Sequence, residues 1–138
     1  MNAMNHSPLV SVLMPAYNCA SFISAAIESV LAQTYSQFEL LVIDDGSTDR
    51  TSQIVTTYAD HDPRIRLMTR EHHGLVQTLN FGLEQARGCY LARLDSDDIS
   101  ALHRLELQVS IILDDALAWP NGDFAGRKRR EPPWCSSS

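Results

Sequence analysis

Four times along this chain a short apolar run gives way to a segment in which apolar residues recur every three or four positions. Leu9-Val10-Ser11-Val12-Leu13-Met14 is nearly continuous in apolar character and is halted by Pro15, as a buried strand should be. From Ser21 to Thr34 the apolar positions are Phe22, Ile23, Ala26, Ile27, Val30 and Leu31, which a helix gathers onto one face. Phe38-Glu39-Leu40-Leu41-Val42-Ile43 predicts a second strand of the parallel-sheet kind. The helix after it is capped by a hydroxyl of Ser47-Thr48, with Asp49 in its first turn. It turns Ile54, Val55, Tyr58 and Ala59 inward and stops before Asp62-Pro63.

The pattern then repeats. Ile65–Met68 predicts a third strand, and Gly74–Arg87 a helix with Leu75, Leu79, Leu83 and Ala86 on one stripe and Gly88 just past its end. Cys89–Leu94 predicts a fourth strand, and Ser100–Leu113 a last helix through Leu102, Leu105, Val109 and Ile112. Strand alternating with helix predicts an α/β fold, a mostly parallel sheet with flanking helices and right-handed crossovers.

The pattern fades after Asp114. The chain's only lysine, Lys128, stands in the run Arg127-Lys128-Arg129-Arg130, followed by Pro132-Pro133 and three closing serines. The expected organisation is one domain over residues 8–113 and a tail over 114–138 that is disordered or aberrant, as a frameshift would leave it.

At 138 residues the chain holds one domain or part of one. Its net charge of −6 argues against nucleic acid as the main partner. No apolar run reaches the roughly 20 residues of a transmembrane helix, and the first residues lack the charged and apolar regions of a signal peptide. Cys19, Cys89 and Cys135 are odd in number and widely spaced, so neither a disulfide framework nor a zinc site is expected. Reduced thiols in a cytoplasmic chain are the default, with the inner face of the membrane as the alternative placement.

The chemistry gathers where strands end. The fourth strand runs into Asp95-Ser96-Asp97-Asp98. Carboxylates are costly to desolvate without compensation, and Asp-x-Asp offers the hard oxygen ligands that Mg²⁺ or Mn²⁺ takes while sharing a phosphorylated ligand. The second strand runs into Asp44-Asp45-Gly46. Two acids exceed what a helix cap needs, so Asp44 is read as structural and Asp45 as a binding residue for a base N–H or a ribose hydroxyl. Acids at two strand ends of one sheet repel unless a cation settles between them. The first strand ends in Pro15-Ala16-Tyr17-Asn18, where Tyr17 either faces a base or is a core tyrosine in a turn. His72-His73-Gly74 reads as a loop entering the third helix, Asn80 as a solvated residue, and Arg93 as a charge partner of the acids. There is no G-x-G-x-x-G after the first strand, and no G-x-x-x-x-G-K-[ST], G-x-S-x-G or H-E-x-x-H. Classical dinucleotide oxidoreductases, P-loop NTPases, serine hydrolases and zincins are thereby set aside.

Taken in order, Val10–Asn18, Ala26–Tyr35, Phe38–Asp49, Asn80–Leu83 before Ala86-Arg87-Gly88, and Leu94–Asp98 with Arg104-Leu105-Glu106 resemble the family 2 glycosyltransferases, which have a Rossmann-like GT-A fold. The resemblance covers about residues 8–113 and implies the nucleotide-sugar-binding half of such a domain, truncated. It implies a UDP-sugar donor, with Pro15, Ala16 and Tyr17 lining the base and ribose pocket, Asp45 reading the base and Asp95 near the ribose and sugar. Asp97 and Asp98 would hold Mg²⁺ or Mn²⁺ at the diphosphate. A glycan or lipid-linked acceptor would attack the anomeric carbon with inversion. In this family the catalytic base comes from beyond the Asp-x-Asp loop, in a half that this chain does not match, so no catalytic base is assigned. Two rivals remain. One is a non-catalytic nucleotide-sugar-binding remnant. The other is a receiver-type signalling domain, which needs an acidic pair after its first strand.

Overall fold

The computed structural model describes residues 8–114, with side chains to residue 110; the expected tail at 114–138 lies outside the described residues apart from Asp114. Eight elements alternate: β1 (Val10–Ala16), α1 (Ile23–Leu31), β2 (Phe38–Asp44), α2 (Thr51–His61), β3 (Ile65–Thr69), α3 (Leu75–Gln85), β4 (Tyr90–Arg93) and α4 (Arg104–Asp114). The strands form one sheet in the order β3-β2-β1-β4. Every pairing is parallel, with Val10 opposite Phe38 and Tyr90, and Leu40 opposite Ile65. The predicted α/β class and all eight elements are present. No helix among the described residues is long and apolar enough to cross a membrane.

The central strands are buried at every position, because helices cover both faces of the sheet. Alternate residues therefore serve two cores. Val10, Val12, Met14, Leu40 and Val42 pack with α1, Val55 of α2, and Leu105 and Val109 of α4. Leu13, Leu41 and Ile43 face the other way, toward Ala86, Leu79 and Phe81.

That second face corrects the expected leucine stripe of α3. Leu75 and Leu83 are 51% and 42% exposed, and the helix turns Thr78 and Gly82 inward instead. A side chain at Gly82 would come within 2.3 Å of Leu13 Cδ1, so only glycine lets the helix lie this close. Gly88 is likewise no helix cap: a Cβ there would meet the Ser11 amide and the Leu9 carbonyl at 2.6 and 2.7 Å. Leu102, expected inward, is half exposed, because α4 begins two residues after it. The N-cap position of α2 is Arg50, without a side-chain cap; in place of the expected hydroxyl, the Asp49 carboxylate one residue earlier accepts from the Thr51 amide at 2.9 Å. Cys19 is a free buried thiol, and Cys89 is buried as well.

One charge is buried where the sequence reads as apolar strand. Glu39, in β2, accepts from Ser11 Oγ at 2.6 Å, Arg66 Nη1 at 2.8 Å and the Arg87 amide at 2.7 Å. Burial pushes its carboxyl up, yet these donors together hold it below the usual carboxylate range. This network sits at the amino ends of the strands.

Candidate functional site

Parallel strands bring all their carboxyl ends to one edge, so the loops after β1, β2 and β4 meet there without any further device. They enclose a cleft of about 480 Å³, lined by Pro15, Ala16, Tyr17, Asp45, Asp95 and Asp97. Six of the seven residues singled out from the sequence are thereby brought to one cleft. Asp98, the seventh, stands beside it.

The loop after β1 is held rigidly. Asn18 takes a left-handed conformation (φ 48°), which asparagine tolerates better than most residues. Its amide donates to Ser47 Oγ at 2.9 Å, and its Oδ1 accepts from the Thr48 amide at 2.7 Å. The Cys19 amide donates to Thr51 Oγ1 at 3.0 Å, and the Ala20 amide to Asp49 Oδ2 at 3.2 Å. The loops after β1 and β2 are thus fastened together, and Tyr17 projects from the seam. It is 46% exposed, so the core-tyrosine alternative is excluded. Its ring lies 4.3 Å from that of His72, tilted by 32°.

The two acids after β2 divide as expected in part. Asp44 is structural: its Oδ1 accepts from the Ser47 amide at 3.1 Å and from Ser47 Oγ at 2.5 Å. Asp45 is buried in the cleft wall, with its oxygens already engaged. Oδ1 accepts from the His73 amide at 2.8 Å, and Oδ2 from the Gly74 amide at 3.0 Å, with His72 Nδ1 also 3.0 Å from Oδ2. Burial raises its carboxyl, but the two amides, the Thr78 hydroxyl and the His72 charge outweigh burial and leave it lowered. Asp45 therefore anchors the start of α3 as well as facing the cleft. Gly46 (φ 82°) lets the segment after β3 pass, since a Cβ would lie 2.8 Å from the His72 amide.

The loop after β4 is different. The Asp98 amide bonds the Asp95 carbonyl at 3.0 Å, closing a turn that points three carboxylates together. Asp95, Asp97 and Asp98 each offer an oxygen within 4.8 Å of the others. Asp95 pairs with Arg93 at 3.0 Å, as the charge-partner reading of Arg93 expects. The carboxylates of Asp97 and Asp98 make no hydrogen bond or ion pair among the described residues. Three converging hard oxygen donors fit a divalent cation of the Mg²⁺ or Mn²⁺ kind. The supposed mutual repulsion of two acidic strand ends needs correcting, because β2 and β4 flank β1. Asp45 is compensated by amides and His72, so the need for a cation rests on the β4 loop alone.

The cleft also has walls that the sequence did not announce: Asn18, Cys19, Phe22, His72, Leu75 and Thr78. Only His72 had a local signal, as one of two adjacent histidines, and that pair reads equally well as a plain loop.

A family model described as glycosyl transferase family 2 matches residues 11–137. The UDP-Glc:alpha-D-GlcNAc-diphosphoundecaprenol beta-1,3-glucosyltransferase WfgD of Escherichia coli is 44% identical over 117 residues, 84% of this chain and 46% of that protein. The crystal structure of S. aureus TarS 1–349 in complex with UDP-GlcNAc superposes with a TM-score of 0.73 at 31% identity, covering 78% of this chain and 32% of that one. The mannosyltransferase PcManGT from Pyrobaculum calidifontis, in complex with GDP-Man and Mn²⁺, gives a TM-score of 0.68 at 28% identity over 78% of this chain and 32% of that one. The chain spans less than half the length of the curated relatives it matches, 48% and 46% of the first two.

Proposed function

The chain belongs to glycosyl transferase family 2, and on that premise we propose that its cleft binds the nucleotide-sugar donor of a glycosyl transfer, a UDP-sugar. The observation that carries this reading is the convergence of Asp95, Asp97 and Asp98 in the loop after β4, beside a cleft that Tyr17 and Asp45 also line. An aromatic ring and a hydrogen-bonding acid suit a base, and a cation site beside the same cleft suits a diphosphate. Uridine is favoured by the names of WfgD and of the TarS complex.

In this reading Pro15, Ala16 and Tyr17 line the base and ribose pocket. Asp45 reads the base with the lone pairs that its amide partners leave, and Asp95 lies toward the ribose and sugar. Asp97 and Asp98 hold Mg²⁺ or Mn²⁺, which when bound offsets charge on the leaving diphosphate. The acceptor is a glycan or a lipid-linked glycan, its hydroxyl replaces the diphosphate with inversion, and the work is done in the cytoplasm, at the inner face of the membrane for a lipid-linked acceptor. None of the described residues is assigned as the base that takes the acceptor's proton.

Thermal unfolding tests the donor site directly. A ligand at 100 times its Kd adds about 2.7 kcal/mol to stability, so millimolar UDP with Mn²⁺ raises the Tm by several degrees. No shift at millimolar ligand overturns the assignment.

A further inference from the structure

The three acids converge only if the loop that carries them is held at both ends. Its entry is fixed by β4, where the Leu94 amide donates to the Leu13 carbonyl at 3.0 Å. Its exit, residues 100–103, belongs to no element, and α4 begins at Arg104. That exit is pinned to the end of α1 by Ser29, Gln33 and Thr34, and Gln33 makes three of the bonds.

Gln33, just past α1, is 7% exposed. Its Nε2 donates to the Ala101 carbonyl at 2.6 Å, with Ser100 Oγ and the Ser29 carbonyl each at 3.1 Å. Its Oε1 accepts from the Leu105 amide at 3.0 Å, satisfying one of the amides that a helix start leaves open. Its neighbours add smaller holds. Ser29 Oγ accepts from the Ser100 amide at 2.9 Å, and the Thr34 amide donates to the Leu102 carbonyl at 3.1 Å. A primary amide is what this place demands, since carbonyl and amide of the same segment must be met by one buried side chain.

We propose that Gln33 is the positioning residue of the acid loop: it lies outside the cleft, and by fixing Ser100–Leu105 it sets where Asp97 and Asp98 stand. The proposal rests on the donor-site reading, in which those acids hold the divalent cation. Side chains that hold a metal's ligands in place commonly affect metal affinity when removed. Gln33→Met keeps the volume and gives up every one of these bonds.

The experiment titrates Mn²⁺ into the UDP-loaded full chain by calorimetry, for the native protein, Gln33→Met, and Val55→Ala. Val55 is fully buried in α2, so Val55→Ala is a control that lowers stability and removes none of the hydrogen bonds that hold the loop. The expected result is Mn²⁺ affinity about tenfold weaker in Gln33→Met and unchanged in Val55→Ala. Native affinity in Gln33→Met, or an equal loss in both variants, overturns the positioning role and leaves the donor site standing. A native chain that takes no Mn²⁺ overturns the donor-site reading, and this proposal with it. Should Gln33→Met not fold, Ser29→Ala removes the lesser pin at Ser100, with a two- to threefold weakening expected and native affinity overturning the role.

Discussion

The two ends of the sheet treat negative charge in opposite ways. At the amino end, Glu39 is buried with both oxygens engaged, by a hydroxyl, a guanidinium and a backbone amide. At the carboxyl end, Asp97 and Asp98 are exposed, converge with Asp95, and have no protein partner for their carboxylates among the described residues. A buried acid with both oxygens engaged by donors is part of the architecture. Acids brought together without partners have capacity left for a ligand. Asp44, Asp45 and Asp49 show that location alone does not decide the matter: all three lie near the carboxyl edge, yet each is engaged by amides or hydroxyls.

The sharpest way to break this contrast is to exchange the expected outcomes. Glu39→Leu strands the Arg66 guanidinium and leaves the Ser11 hydroxyl and the Arg87 amide unmet. Breaking one side of a buried pair costs about 3–5 kcal/mol, and Arg66 is partly exposed, so about 3 kcal/mol is expected in urea unfolding. Adding Arg66→Met should recover part of that loss, because removing both charges is far cheaper than removing one. A cost under about 1 kcal/mol for Glu39→Leu would make the amino-end network ornamental.

Asp97→Asn should do the reverse. An exposed carboxylate without partners contributes little to folding, so stability should change by no more than about 0.5 kcal/mol. Mn²⁺ affinity in the presence of UDP should fall at least tenfold, about 1.4 kcal/mol, as a hard anionic ligand is lost. Calorimetry and urea unfolding on the same sample separate the two quantities. A variant that loses stability but keeps its metal affinity would place Asp97 with Glu39 rather than opposite it.

The asymmetry also explains what could be read from the chain alone. Strands and helices were legible because each buries a face with its own period, and the β4 acids because three carboxylates directly follow an apolar run. The amino-end network was not legible. Glu39 is met by residues 28, 27 and 48 positions away, and no local pattern records such partners. The same holds for Asp45, whose amides lie 28 and 29 residues later, and for Gln33, whose partners in the exit loop lie 67 to 72 residues on. The inward face of α3 was misread for another reason. Hydrophobic spacing finds the apolar stripe, but the close approach of Gly82 to Leu13 selected a smaller-residue face for burial.

The gentlest probe is pH. Glu39 and Asp45 both have carboxyls lowered by their donors in spite of burial. A carboxyl lowered on folding contributes stability that is fully present above its unfolded value, about 4. That contribution is lost as pH falls through the lower folded value, because the unfolded chain takes up the proton first. Stability should therefore be flat from pH 7 to 5 as far as these groups go and should decline below about 4. Glu39→Gln keeps the side chain's shape and removes its titration, so its acid decline should be shallower than that of the native protein, with the remainder owed to Asp45 and other lowered carboxyls such as Asp62. Thermal melts across this range decide it: a native profile in Glu39→Gln would erase the distinction between an acid that holds the sheet together and one that waits for a cation.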